Sequence, residues 1–171
     1  MAKGDLVERM IGAATLDIQT FEEVEADPTA TGQAAAVVAM AAIAAGIGLA
    51  REGLWAALVS PVWALVAWLL WAGVTFLIGT RLLGGTATWG ELLRTLGFAQ
   101  SPGVLYLVGI LPLVGGLVRL ILPFWILAAG IIGIRQALDF STGKAILTTL
   151  LGWLVMAIPA MMIGGSFFMD R

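Results

Sequence analysis

Apolar residues fill the chain from about Thr31 to Phe168 in five stretches, and nearly every charge lies between or outside them. The stretches are continuous rather than alternating, so they read as helices. Only helices and closed barrels satisfy their backbone groups within lipid. The pattern therefore predicts an all-α, polytopic integral membrane bundle of about five transmembrane helices, with short N-terminal and interfacial amphipathic helices beside them. The expected spans are about 33–50, 54–79, 102–117, 117–138 and 145–168, with an interfacial helix at about 88–99.

Residues 1–30 form a separate polar segment. Leu6, Val7, Met10, Ile11 and Ala14 recur on one helical face, with Glu8 and Arg9 off it, which predicts an amphipathic first helix. Thr20-Phe21-Glu22-Glu23 fits a capping box with Thr20 as N-cap. Asp27-Pro28 then opens the first span by the usual N-cap and N1 preferences. This span is mostly Ala and Gly, and Ala35, Ala39, Ala42 and Gly46 form a small-residue stripe that would let a second backbone approach closely. The second span is bulky by contrast, carrying Trp55, Trp63, Trp68 and Trp71. Small against large reads as packing; an aromatic face for a lipid, quinone or pigment is the functional alternative.

Thr88-Trp89-Gly90-Glu91 is a second capping box, followed by Leu92, Leu93, Leu96 and Phe98, and predicts a helix lying in the interface with Trp89 at headgroup depth. Ser101-Pro102 caps the third span, and a turn at Gly115-Gly116 leads into the fourth. The third segment is only marginally long enough to cross, so a re-entrant segment in a four-span protein is the competing arrangement. Pro61, Pro112, Pro123 and Pro159 fall in one half of the second to fifth spans, where they tend to kink helices and could open a recess in the outer half of the bundle.

With five spans, one side receives Lys3, Arg9, Arg81, Arg94, Arg135 and Lys144, and the other Arg51, Arg119 and Arg171. The positive-inside rule then sets the N-terminus in the cytoplasm and the C-terminus outside. The acidic and polar first thirty residues leave targeting to the first span. A pI near 5.0 and the lack of a basic cluster argue against nucleic acid as a partner. With no His and no Cys, histidine or thiolate metal and haem ligation is excluded, so no cofactor or metal is expected. No nucleophile stands beside a base, and no carboxylate lies within a span to couple transport, so an enzyme is not expected.

The remaining polar residues near one end of the fourth and fifth spans, Arg135, Gln136, Asp139 and Lys144, together with Glu22 and Glu23, are candidate contacts for a partner or lipid headgroup. Arg135 and Asp139 have the spacing to pair. Thr75, Thr80, Thr148 and Thr149 are expected to return hydrogen bonds to their own helices. Arg119 and Arg135 also fit snorkelling to the headgroups. These features suggest a non-enzymatic accessory or scaffold subunit contacting membrane lipids and other membrane proteins, or self-associating. A small permease or lipid-handling protein using the outer recess is the alternative.

Several segments carry a family resemblance. They are Phe21 to Pro28 feeding an Ala-rich span, Gly97-Phe98-Ala99-Gln100-Ser101-Pro102, Leu111-Pro112, Trp125, and Gly133 to Ala145 between the last two spans. In this order they resemble the Yip family, the Rab/Ypt-interacting-protein-like membrane proteins, in its prokaryotic branch. The resemblance implies a cytoplasmic N-terminus and five spans, with residues 31–168 as the Yip-like domain. The long N-terminal region and Asp-Leu-Tyr-Gly-Pro motif of eukaryotic members are missing, so Rab binding is not implied.

Overall fold

The computed structural model describes residues 4–48, 53–111 and 113–169, with side chains given for all of these but 53–60 and 157–169. Lys3, Arg51, Pro112, Arg171 and the side chains of Trp55 and Pro159, all used in the sequence reading, lie outside that description. Seven α-helices follow in order: α1 (Leu6–Ala14), α2 (Ile18–Ala26), α3 (Ala30–Gly48), α4 (Gly53–Phe76), α5 (Trp89–Phe98), α6 (Gly115–Ala137) and α7 (Thr142–Met169). No strand is present among the described residues. α4 continues as a π-helical turn, Leu77–Leu82, and a 3-10 segment, Ser101–Ile110, links α5 to α6. Ala30–Gly48, Pro61–Leu82 and Gly115–Ala137 are long and apolar enough to cross a membrane, and Thr142–Met156 is apolar over a shorter length.

Asp17, rather than Thr20, caps α2. Its carboxylate accepts from the Gln19 and Thr20 amides and, at 2.7 Å, from the Thr20 hydroxyl. The helix starts one turn before the anticipated box, because Asp17 offers two acceptor oxygens where Thr20 offers one. Thr20 instead packs on α1, where any side chain at Gly12 would collide with it. The second box forms as expected: Thr88 N–H donates to Glu91 at 2.8 Å and Glu91 N–H to Thr88 Oγ1 at 3.3 Å.

Arg9 reverses the amphipathic reading of α1. It is only 3 % exposed, while Val7 and Ile11 of the anticipated inner face are exposed. Its guanidinium donates to Glu23 at 2.8 and 3.1 Å, to Asp27 at 2.9 Å and to Gln33 at 2.8 Å. A planar fork of five donors can satisfy that many acceptors at once, which is what makes burying the charge tolerable. Arg9 thus ties α1, α2 and the start of α3 together, and Trp125 of α6 adds a 2.7 Å bond from its indole N–H to the Ala14 carbonyl.

α5 is covered by the rest of the bundle. Leu92 through Phe98 are all buried, and only the start of the helix, including Trp89, reaches the surface. A Cβ on Gly97 would meet the Ala34 Cβ at 2.6 Å, so α5 crosses α3 almost backbone to backbone. Trp68 of α4 donates its indole N–H to the Leu93 carbonyl at 3.0 Å. From this position the chain needs little further length. The 3-10 segment follows α3, with Gly103 against Ala41 and Tyr106 against Gly48, and Gly109 then meets Gly115 at the start of α6.

The expected third helix is therefore absent as such. Ten residues of 3-10 helix extend about 20 Å, so the pass is completed by α5 and this segment together. Gly115 and Gly116, expected in a turn, lie in the first turn of α6. α6 returns until Leu138 packs on Gly79 of the π turn, and α7 sets out again from the same end, giving five passes between the two ends of the bundle.

Candidate functional site

Two regions concentrate the groups that are capable of recognition. The first is the end of the bundle where α2, α5 and the α6–α7 turn meet. Arg94 of α5 is 6 % exposed and bonds the last carbonyls of α2: its Nε donates to Val24 O at 2.9 Å and Glu25 O at 3.0 Å, and its Nη2 also donates to Glu25 O. A cation on the carbonyl end of a helix is favoured by the helix dipole and satisfies acceptors that have no partner within the helix. The α6 C-terminus closes with Phe140 N–H on Arg135 O at 2.9 Å and Asp139 N–H on Gln136 O at 3.1 Å. Asp139 takes the left-handed conformation this cap requires, at φ 53°.

That turn decides the fate of the candidate polar residues. Arg135 and Asp139 do not pair. Reversal of the chain at Asp139 swings its carboxylate to the Thr86 hydroxyl at 2.9 Å, while Arg135 Nε donates to Gln136 Oε1 at 2.9 Å. Gln136 in turn donates to Glu22 at 2.9 Å, joining α6 to α2. Lys144 donates to the Leu83 carbonyl at 3.2 Å and lies over the Phe140 ring. Arg135, Gln136, Asp139, Lys144 and Glu22 are thus brought to one end. Glu23 belongs elsewhere, on Arg9, as a structural pair.

Around this end four carboxylates, Glu22, Glu25, Glu91 and Asp139, stand among the cations Arg94, Arg135 and Lys144. Burial, and then the neighbouring carboxylates of Glu91, Asp139 and Glu22, push the Glu25 carboxyl up to about 7, against the opposing pull of Arg94. Asp27 lies the other way: the Thr29 hydroxyl and then the Arg9 guanidinium bring it down to about 2. Beside the cluster, a shallow recess of about 510 Å³ is lined by Arg135, Gln136, Asp139, Phe140, Ser141 and Thr142.

The second region is a partly open cavity of about 460 Å³ lined by residues of α3, α4, α5, the 3-10 segment, α6 and α7. Among the described residues its wall is apolar and carries no charged side chain, but Gln100 and Tyr106 line it. Neither makes a side-chain hydrogen bond among the described residues. Pro123 lines it too, toward the middle of α6. On the Ala-rich face of α3, the closest approaches fall at Ala34, Ala41 and Gly48; Ala35, Ala39, Ala42 and Gly46 are half-buried, and Ala42 borders the cavity.

Thr80, Thr148 and Thr149 return hydroxyl bonds to carbonyls four residues back, as expected. Thr75 does not: its Oγ1 is buried without a partner among the described residues. Among the described residues no group of three or more acidic side chains is placed to hold a metal ion. The sequence reading missed Arg94 and Arg9 as buried anchors. The available signal was an arginine set within an otherwise apolar run, Leu92-Leu93-Arg94-Thr95-Leu96.

An all-helical bundle of long apolar helices, with its polar side chains gathered at one end, defines a polytopic integral membrane protein. The particular family follows from comparison: the chain matches the Yip1 domain model over residues 17–163 and belongs to that family. The match runs from the Asp17 cap of α2 into α7. No curated protein and no solved structure matches the chain.

Proposed function

We infer that this Yip1-domain membrane protein is a non-enzymatic accessory or scaffold subunit whose carboxylate cluster, Glu22, Glu25, Glu91 and Asp139, docks a basic segment of another membrane protein. The observation that carries the reading is the convergence of Glu22, Glu25, Glu91 and Asp139 from three separate elements; burial first, and then the three neighbouring carboxylates, raise Glu25 to about 7. Like charges are gathered at a stability cost, and a partner's Lys or Arg would relieve it. The frame beneath is stiff, because Arg9 and Arg94 spend their donors internally. The positive-inside count assigns this end to the cytoplasm. Complementary charge of this kind raises association rate and specificity more than affinity.

The test is recovery of a co-purifying membrane protein in mild detergent. Glu22→Lys with Glu91→Lys should reduce recovery at least severalfold at low salt, with the bundle's thermal unfolding unchanged. Recovery should also rise between pH 6 and pH 8 as Glu25 ionises. Equal recovery from the wild type and the reversed variant at every salt concentration would refute docking at this end. A second reading, lipid handling, is favoured by the cavity between the helices and by two polar side chains in its wall that have no side-chain hydrogen bond among the described residues.

A further inference from the structure

The cavity borders a second apolar recess, of about 710 Å³, on the α4–α7 flank. The two share Trp71, Trp153 and Met156 in their walls. At this seam Gly152 leaves only 3.1 Å between the position a Cβ would take and the Trp71 indole, so the ring lies directly on the α7 backbone. Trp153 is exposed on the recess side, and Leu150 and Leu154 continue the apolar surface outward. Among the described residues, two indole rings and a flexible thioether stand between the cavity and the outer recess, at the place where a lateral entrance from the bilayer would lie. Methionine yields easily, and an indole resting on a glycine can swing without displacing backbone.

The wall chemistry narrows the occupant. At about 460 Å³ the cavity falls within the ~300–1,000 Å³ common to ligand sites, which are mostly apolar with a few fixed polar groups. Among the described residues no charged side chain lines it, so an ionised headgroup would enter without a counter-charge from them. Gln100 supplies a carboxamide, both donor and acceptor, and Tyr106 a hydroxyl; both need partners once dry.

We propose that the cavity binds one neutral, single-chain membrane amphiphile, admitted from the bilayer between α4 and α7. Its chain fills the apolar space, and its uncharged oxygen groups meet Gln100 and Tyr106. The proposal rests on the lipid-handling reading and adds the ligand class and the route.

The probe is radiolabelled 1-oleoylglycerol, compared with labelled 1-octadecene, added to the full chain in mixed micelles and separated by gel filtration. The wild type should retain about one oleoylglycerol per chain and hold octadecene at least tenfold more weakly. Gln100→Leu and Tyr106→Phe should each weaken oleoylglycerol roughly tenfold, the worth of one buried hydrogen bond, and leave octadecene unchanged. Gly130→Phe should abolish retention of both; Gly130 lines the cavity with nothing within 4 Å of its Cβ position, so the added ring has room to enter. Gly152→Leu, which drives the Trp71 indole off α7, should change the loading rate at least severalfold. Octadecene bound as well as oleoylglycerol, with both lost in Gly130→Phe, would overturn the neutral-amphiphile assignment while leaving an internal lipid site. Retention unaltered by Gly130→Phe would overturn the cavity and the lipid-handling reading together. An unchanged loading rate in Gly152→Leu would overturn the α4–α7 route.

Discussion

Replacing Arg94 by Met tests the frame at its most heavily used residue. The guanidinium satisfies two carbonyls at the end of α2, with Nε at 2.9 Å from Val24 O and 3.0 Å from Glu25 O and a further Nη2 bond to Glu25 O. A bond from a charged donor contributes about 1.5–3 kcal/mol, and favourable placement at a helix C-terminus about 0.3–1 kcal/mol more. Against this stands the desolvation of a guanidinium that is 6 % exposed, which methionine avoids. The net expectation is a loss of about 3 kcal/mol, or about a hundredfold in the folded-to-unfolded ratio. Arg94→Lys keeps the charge but not the fork, and should lose about half as much. Denaturant titration in micelles gives the stability, and amide hydrogen exchange locates the loss, which should fall on α2 before α3. Arg94→Met within about 0.5 kcal/mol of the wild type, with α2 exchange unchanged, would refute Arg94 as the anchor of α2.

Helix proximity gives a second prediction. Gly97→Val should destabilise by about 1–3 kcal/mol through overpacking against Ala34, whereas Gly130→Ala, with open space around it, should be neutral or slightly stabilising by thermal unfolding. On α3, Ala41→Leu should cost more than Ala39→Leu, because Ala41 packs on Gly103 while Ala39 is half-buried; equal losses would place the contact stripe elsewhere. The pH dependence has a definite sign. Glu25 is raised to about 7 from 4.5, so its contribution to stability is fully present below pH 4.5 and is lost as the pH rises through 7. Stability should therefore fall between pH 5 and 8 in the wild type, and more gently in Glu25→Gln. Asp27 is lowered to about 2, so its contribution is present above pH 3.8 and is lost as the pH falls through 2, a loss that Asp27→Asn removes.

Hydropathy made most of the fold legible, because lipid leaves a long apolar run few options besides a helix. The third pass escaped that logic. Its length depends on where α5 lies in the bundle, and that position is set by Gly97 on Ala34 and by the Trp68 bond to Leu93, contacts between residues far apart in sequence. Local spacing also misread the charges. Arg135 and Asp139 are one helical turn apart, but the cap at Asp139 ends the helix between geometry and pairing. Arg9 lies off the apolar stripe, and nothing in the spacing marks it as buried; it is buried because Glu23, Asp27 and Gln33 converge on it. Gln100 was visible only as part of a family-like segment, since nothing in Ala99-Gln100-Ser101 announces a cavity.

The docking claim is tested most directly by site-specific photocrosslinking in intact membranes, with the probe at position 22 in the carboxylate cluster or at position 120 on the exposed apolar flank of α6. The account expects one discrete protein adduct from position 22, lost when Glu91→Lys and Asp139→Lys are added, and lipid adducts alone from position 120. Only lipid adducts from position 22, or a protein adduct indifferent to those charge reversals, would contradict it.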